Sequence, residues 1–186
     1  MRKVILIAGV AGVGKSTMAQ NLKKKSMVIH LDRFQSCFVK RNISEGIVCP
    51  WDWKYFKFPT IQNNLTKIIL ETLESDYLRL KKKHKSIIVE GSALILDSFT
   101  EKFLEGLSIF LEDDSLEISW FLLDLDIENV INQRKRRMNQ LDIEEISDVE
   151  KLKIRQKFYR TRSKASWQIF KNQLDLEQSI KSTIAN

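Results

Sequence analysis

The stretch IAGVAGVGKSTMAQ, residues 7–20, decides how the rest of the chain is read. Gly9, four intervening residues, then Gly14, Lys15 and Ser16 fit the pattern G-x-x-x-x-G-K-[ST] without a mismatch. Each residue type in it suits a polyphosphate. Glycines let backbone N–H groups approach phosphate oxygens and permit the unusual dihedrals of such a turn. Lys15 supplies a flexible point charge for β and γ phosphates, and the Ser16 hydroxyl is placed to ligate Mg2+. Upstream, Val4-Ile5-Leu6-Ile7-Ala8 is a short apolar run rich in β-branched residues, as expected of a parallel strand buried on both faces. Downstream, Met18, Ala19 and Leu22 can line one face of a helix that closes in Lys23-Lys24-Lys25. Its positive N-terminal end would add to the anion site. Gly9, Gly12, Val13, Gly14, Lys15, Ser16 and Thr17 are therefore the candidate nucleotide-binding residues.

Met1-Arg2-Lys3 followed by apolar residues imitates a secretory signal peptide. The apolar run, however, is broken by glycines and ends in Gly-Lys-Ser-Thr with no clear A-x-A cleavage site. A phosphate loop explains every residue of the stretch, and a signal peptide does not.

With 186 residues the chain is long enough for one well-buried domain and short for two, so residues 1–186 are expected to form a single domain. Hydrophobic content of 43% with 30% charged residues is ordinary for a globular protein and excludes a disordered one. No apolar stretch approaches a membrane span, so no membrane partner is expected. Cys37 and Cys49 have neither CxxC spacing nor a disulfide framework, which points to a reducing, cytoplasmic location. His30 and His84 are too far apart for an obvious metal cluster, and His30, at a strand end, reads as structural. The net charge of +7 suits polyphosphate ligands as well as it suits nucleic acid.

Strand and helix alternate along the chain, which predicts an α/β class fold: a three-layer sandwich with a short parallel sheet flanked by helices. Strands are expected at residues 3–8, 27–31, 86–90 and 117–123. Helices are expected from Pro59-Thr60 to about Lys82, from Phe99 to Leu111, from Ile127 to Met138, and from about Val149 to Phe170. Within the acceptor or lid segment, about residues 33–59, the stretch from Asn42 to Pro59 is the least regular. Within it CPWDWKYFKF packs five aromatics around one carboxylate. Either this loop folds onto the core or it forms a lid over a ligand.

Three further positions carry chemistry. Asp32 follows the second strand, and ligands of open parallel sheets bind at the carboxyl ends of strands. A carboxylate there can take a proton from an attacking hydroxyl or organise Mg2+, though it can equally cap the next helix. Glu90 ends the apolar strand Ile87-Ile88-Val89, where a carboxylate without a cation partner would be costly. This suits a Mg2+-associated role, beside Gly91. Arg134 and Arg137 share a face of the helix in NQRKRRMNQ, residues 132–140, and arginines that close over a transferring phosphoryl group stabilise its charge. The alternative is a solvated basic face.

With these residues placed, the chain resembles the uridine kinase branch of small P-loop kinases, which includes nicotinamide riboside kinases. The resemblance rests on GVAGVGKST, HLDRFQ, CPWDW, IIVEGSALI and LDLDIENVINQRKRRM, over roughly Val4 to Arg162. It implies a P-loop NTPase fold, ATP and Mg2+ as cofactors, and transfer of the γ-phosphate to a hydroxyl of a small, nucleoside-like acceptor. By this likeness Asp32 matches the acceptor-activating aspartate and Glu90, with Ser16, the Mg2+-associated pair. Arg134 and Arg137 match arginines of a lid, about residues 132–164. Phe34, Trp51, Asp52 and Trp53 fall in the acceptor segment. The family's base-binding hairpin has no counterpart in residues 60–83, and no clear final strand follows Phe170.

A nucleoside monophosphate kinase is the nearest competing reading, with Arg33, Arg41, Lys54 or Lys57 holding an acceptor phosphate. A nucleic-acid-linked P-loop ATPase is a competitor of another class, suggested by the basic charge but not favoured in so short a chain. A GTPase is disfavoured, because neither N-K-x-D nor a D-x-x-G after the third strand occurs.

Overall fold

Val4, Ile5, Leu6, Ile7 and Ala8 have no exposed surface at all, on either side of their strand. That places β1 (Lys3–Ala8) in the middle of the sheet, where both faces are covered and the sequence has no reason to alternate. The computed structural model describes residues 2–23, 26–31, 66–67, 70, 86–95, 97–112, 115–138, 149–162 and 166–185. Asp32, Phe34, Trp51, Asp52, Trp53, the acceptor segment 33–59 and most of the helix expected at 60–82 lie outside the described residues.

Around β1 the sheet is built from β2 (Met27–His30), β3 (Ser86–Glu90), β4 (Glu117–Leu123) and β5 (Gln168–Phe170). The order is β2-β3-β1-β4-β5. Every pairing is parallel, with Lys3 opposite Ser86 and Glu117, Met27 opposite Ile87, and Phe121 opposite Gln168. β3 is buried along its whole length, and the outermost strand β5 is largely exposed.

After α1 (Lys15–Leu22) come a 3-10 turn at Ser92–Ile95 and four α-helices: α2 (Asp97–Leu111), α3 (Ile127–Met138), α4 (Val149–Arg162) and α5 (Gln173–Ala185). Right-handed crossovers put α1, which leads towards β2, on one face of the sheet and α2, which leads from β3 back across β1 to β4, on the other. Helix α2 shows why it folds onto the sheet. Phe99, Phe103, Leu107 and Leu111 recur every fourth residue and are all buried in the main core. Helix α1 contributes Met18, Ala19 and Leu22. Together these form a parallel sheet flanked by helices, the α/β architecture expected from the sequence.

The last fifth of the chain departs from expectation. One helix running to Phe170 is replaced by α4 ending at Arg162, then β5, then α5. Tertiary contacts override helical periodicity here. Trp167 packs on Trp120 with ring centroids 5.2 Å apart, Phe170 on Phe121 at 5.6 Å, and the Asp124 N–H donates to the Phe170 carbonyl at 2.9 Å. A strand of three residues is too short to leave a period-two signal. Helix α5 has a readable start: Asn172 Oδ1 accepts the Asp175 N–H at 2.8 Å while Asn172 Nδ2 donates to Asp175 Oδ2 at 2.6 Å, a reciprocal cap.

Candidate active site

The carboxyl ends of β1, β2, β3 and β4 open on the same edge of the sheet, where parallel α/β proteins bind ligands. The loop 9–14 leaves β1 there and enters α1. Gly14 has a left-handed backbone, φ 93°, and no side chain caps the helix start, so the first N–H groups of α1 remain available to an anion. No acidic residue stands in the first turn of α1 to compete with one. Val13 is fully buried and anchors the loop from below, whereas Ser16 and Thr17 are exposed at the mouth.

Side-chain donors grip the loop's own carbonyls. Lys15, only 4% exposed, donates from Nζ to Gly9 O at 2.9 Å and Val10 O at 3.2 Å. Arg134, on α3, donates to Ala11 O from Nε at 3.0 Å and from Nη2 at 2.7 Å. Gln173, at the start of α5, donates to Val13 O at 2.6 Å. Its amide lies so close that a Cβ on Gly14 would overlap it. The arginine was visible in the sequence as a candidate. Gln173 was not, because the strand and helix that carry it were not recognised.

Glu90 sits at the end of β3 with no exposed surface. Ser16 Oγ donates to its Oε1 at 2.8 Å, so the two residues proposed for one Mg2+ role are in contact. His30 Nδ1 meets the same Oε1 at 2.6 Å. His30 is thus part of this cluster, beyond the structural role its strand-end position suggested. Burial pushes the Glu90 carboxyl up, but the hydrogen bond from His30, the charge of Lys15 and the Ser16 hydroxyl outweigh it and hold the group below the ordinary carboxylate value. Its other oxygen, Oε2, is buried without a hydrogen-bond partner among the described residues.

A second buried carboxylate follows β4. Asp124 Oδ2 accepts Arg160 Nε at 2.7 Å and also Lys171 Nζ, and Oδ1 accepts Gln156 Nε2 at 2.7 Å. Burial raises the carboxyl of Asp124, but Arg160, Lys171 and Gln156 overcome that and lower it overall. The cluster ties α4 to the sheet, aided by Tyr159, whose hydroxyl donates to Ser92 O at 2.7 Å. Asp124 lies within LDLDIENVINQRKRRM, but nothing in that stretch marked it for this cluster, and Gln156, Tyr159, Arg160 and Lys171 formed no recognisable motif. The side chain of Arg137 lies outside the described residues.

The donor set fits a magnesium nucleotide. The loop has an uncapped helix start, a buried lysine and a serine hydroxyl, and behind that hydroxyl stands a carboxylate whose second oxygen has no hydrogen-bond partner among the described residues. No group of three or more His, Cys, Asp or Glu that could hold a metal occurs among the described residues. A Mg2+ ion beside Ser16 and Glu90 would share its ligands with phosphate and water, which is how Mg2+ is usually held. No helix of the described residues is long and apolar enough to cross a membrane.

Known proteins place this arrangement in a class. The AAA domain family model matches residues 5–153, and the chain belongs to that family. No curated protein sequence matches the chain. Among solved structures, the tunicamycin resistance protein of Deinococcus radiodurans superposes with a TM-score of 0.60 at 15% identity, covering 98% of this chain and 96% of that one. A gluconokinase from Sinorhizobium meliloti 1021 gives 0.58 at 14% identity, over 100% and 94%. The shikimate kinase from Acinetobacter baumannii, in complex with shikimate, gives 0.51 at 18% identity, over 100% and 93%. At these identities the likeness is one of fold, and the fold is that of the α/β P-loop NTPases. The family match does not single out the uridine kinase branch.

Proposed function

We propose that this protein is an ATP-dependent phosphotransferase, a single-domain small-molecule kinase over residues 1–186, that moves the γ-phosphoryl group to a hydroxyl. The observation that carries the reading is the Ser16–Glu90 contact beneath an uncapped helix start. A loop that only turned a corner would not need an ionised, fully buried carboxylate behind its serine.

In this reading Gly9, Gly12, Val13, Gly14, Lys15, Ser16 and Thr17 hold the nucleotide phosphates, and Ser16 with Glu90 orients Mg2+ and its waters. Bound Mg-ATP supplies the transferable group. Lys15 and Arg134, with Arg137, offset the negative charge on its oxygens, and the loop carbonyls that Lys15 and Arg134 now grip are neutral partners that a phosphate would outcompete. Asp32 accepts the proton of the acceptor hydroxyl. Phe34, Trp51, Asp52 and Trp53 form the acceptor site, where aromatic faces suit a planar base or pyridine ring.

A nucleoside-like acceptor follows from that aromatic content and from the likeness to the uridine kinase branch. A polyhydroxy acid is a second candidate, since a gluconokinase and a shikimate kinase share the fold. The test is ADP release from Mg-ATP with a panel of nucleosides, nucleotides, sugar acids and vitamins. Turnover that needs one of these acceptors supports the reading and names the class; preference for a nucleoside monophosphate favours the phosphate-acceptor alternative. Release stimulated only by DNA or RNA overturns it in favour of a nucleic-acid-linked ATPase.

A further inference from the structure

We propose that His30 is a positioning residue for Glu90: it pins Oε1 so that Oε2 stays turned towards the hydration shell of the nucleotide's divalent cation. The inference rests on the reading of the loop as a Mg-nucleotide site and assigns that site a residue with no place in the phosphate-loop pattern.

The strands set the pair up. His30 and Glu90 are register partners at the carboxyl ends of β2 and β3, so their side chains leave the sheet on the same face. His30 is 9% exposed and Glu90 is fully buried, and Nδ1 lies 2.6 Å from Oε1. A carboxylate held ionised can only accept hydrogen bonds, so the proton of this contact resides on Nδ1. Ser16 Oγ donates to the same oxygen at 2.8 Å.

Two donors on Oε1 leave Oε2 buried with no hydrogen-bond partner among the described residues. An ionised oxygen left so is costly to bury unless a guest supplies a donor. Water bound to a cation is such a donor. The last torsion of a glutamate side chain is broad, so a single hydroxyl would not fix which oxygen faces the guest. The imidazole, rigid and anchored on a strand, is the fixed support.

Thermal stability in ADP with EDTA, and in ADP with graded Mg2+, tests this without turnover. Wild type should gain from ADP and gain further from Mg2+. His30→Leu should keep the gain in EDTA while the Mg2+ concentration for half of the further gain rises about tenfold or more, as is typical when a supporting residue of a metal site is lost. His30→Asn, whose amide can replace the Nδ1 donor, should restore the response. An unchanged Mg2+ midpoint in His30→Leu overturns the proposal and leaves the nucleotide reading standing. Equal loss in both variants overturns its hydrogen-bond basis. A wild type indifferent to ADP and Mg2+ brings down the nucleotide reading, and this proposal with it. Should His30→Leu fail to fold, nitrogen NMR of the wild-type imidazole decides: a protonated Nδ1 is expected, and a bare Nδ1 overturns the assignment.

Discussion

Arg134 lies across Gly12 with both its Nε and its Nη2 on the carbonyl of Ala11. A Cβ on Gly12 would stand 2.7 Å from that Nε and 2.8 Å from the arginine Cγ, on a backbone with φ of +93°. Gly12→Ala therefore combines backbone strain with a clash, and a loss of about 2 kcal/mol is expected. Removing the arginine relieves only the clash. In a urea double-mutant cycle, Gly12→Ala should cost about 1 kcal/mol less in the Arg134→Ala background. Additive losses would place the arginine elsewhere.

Lys15→Ala should leave the fold intact and remove most of the response to nucleotide. Nζ serves two loop carbonyls and no part of the apolar core. Wild type at a Mg-ATP concentration of 100 times Kd should gain about 2.7 kcal/mol by linkage, and the variant much less. Calorimetric unfolding with and without Mg-ATP measures both; equal gains exclude Lys15 from the phosphate site.

Asp124 should show an asymmetry. Its carboxylate is buried, whereas the side chains of Arg160 and Lys171 are 48% and 61% exposed. Removing the anion lets both cations return to water, at a cost of about 2 kcal/mol. Removing both cations strands a buried charge, and Arg160→Ala with Lys171→Ala should cost more, about 3–5 kcal/mol. Because the folded carboxyl lies below its ordinary 3.8, its contribution is whole above pH 3.8 and is lost as pH falls through the folded value. The stability gap between wild type and Asp124→Asn should thus stay level from neutral pH down to about 5 and narrow in stronger acid. Urea titrations across that range check it, and a gap that widens in acid refutes it.

Asp32→Asn and Glu90→Gln should fail in different ways. Without its base, the first should bind Mg-ATP normally and turn over about a hundredfold or more slowly. The second keeps the shape of Glu90 but loses its charge beside Ser16, so its activity should need more Mg2+. Steady-state kinetics at two Mg2+ concentrations separates them. Near-normal turnover by Asp32→Asn would make Asp32 a helix cap.

Trp51 and Trp53 are expected to line the acceptor site with Asp52. Replacing both tryptophans should raise acceptor KM more than ATP KM, and the true acceptor should change tryptophan fluorescence in wild type. A double variant that binds the acceptor normally and merely loses stability would make the loop core packing.

Much of the sheet was legible because β1 and β3 are short, apolar and bounded by glycine or charge, and because the phosphate-loop spacing leaves few alternatives. Strand ends 8, 90 and 123 and the helix 127–138 agree with the expected limits, and β2 is one residue shorter. Ser16 and Glu90, 74 residues apart, do meet. What stayed hidden depends on contacts between distant segments. Gln173 and Lys171 matter only because β5 docks beside β4, and three strand residues carry too little pattern to announce that docking. His30 looked inert since its partner lies 60 positions away. Asp124 stands within LDLDIENVINQRKRRM, but its role exists only once α4 and β5 surround it.

The central position of β1 also shapes how the molecule comes into being. Strand β1 leaves the ribosome well before its neighbours β3 and β4, which begin at residues 86 and 117. At a synthesis rate of about 5–20 residues per second, its fully apolar run waits roughly 4–17 seconds for the nearer of them. During that interval neither neighbouring strand can shield Val4 to Ala8. Assembly of the sheet is therefore postponed until the middle of the chain has been made, and among the described elements α1 is the one at hand to give early protection.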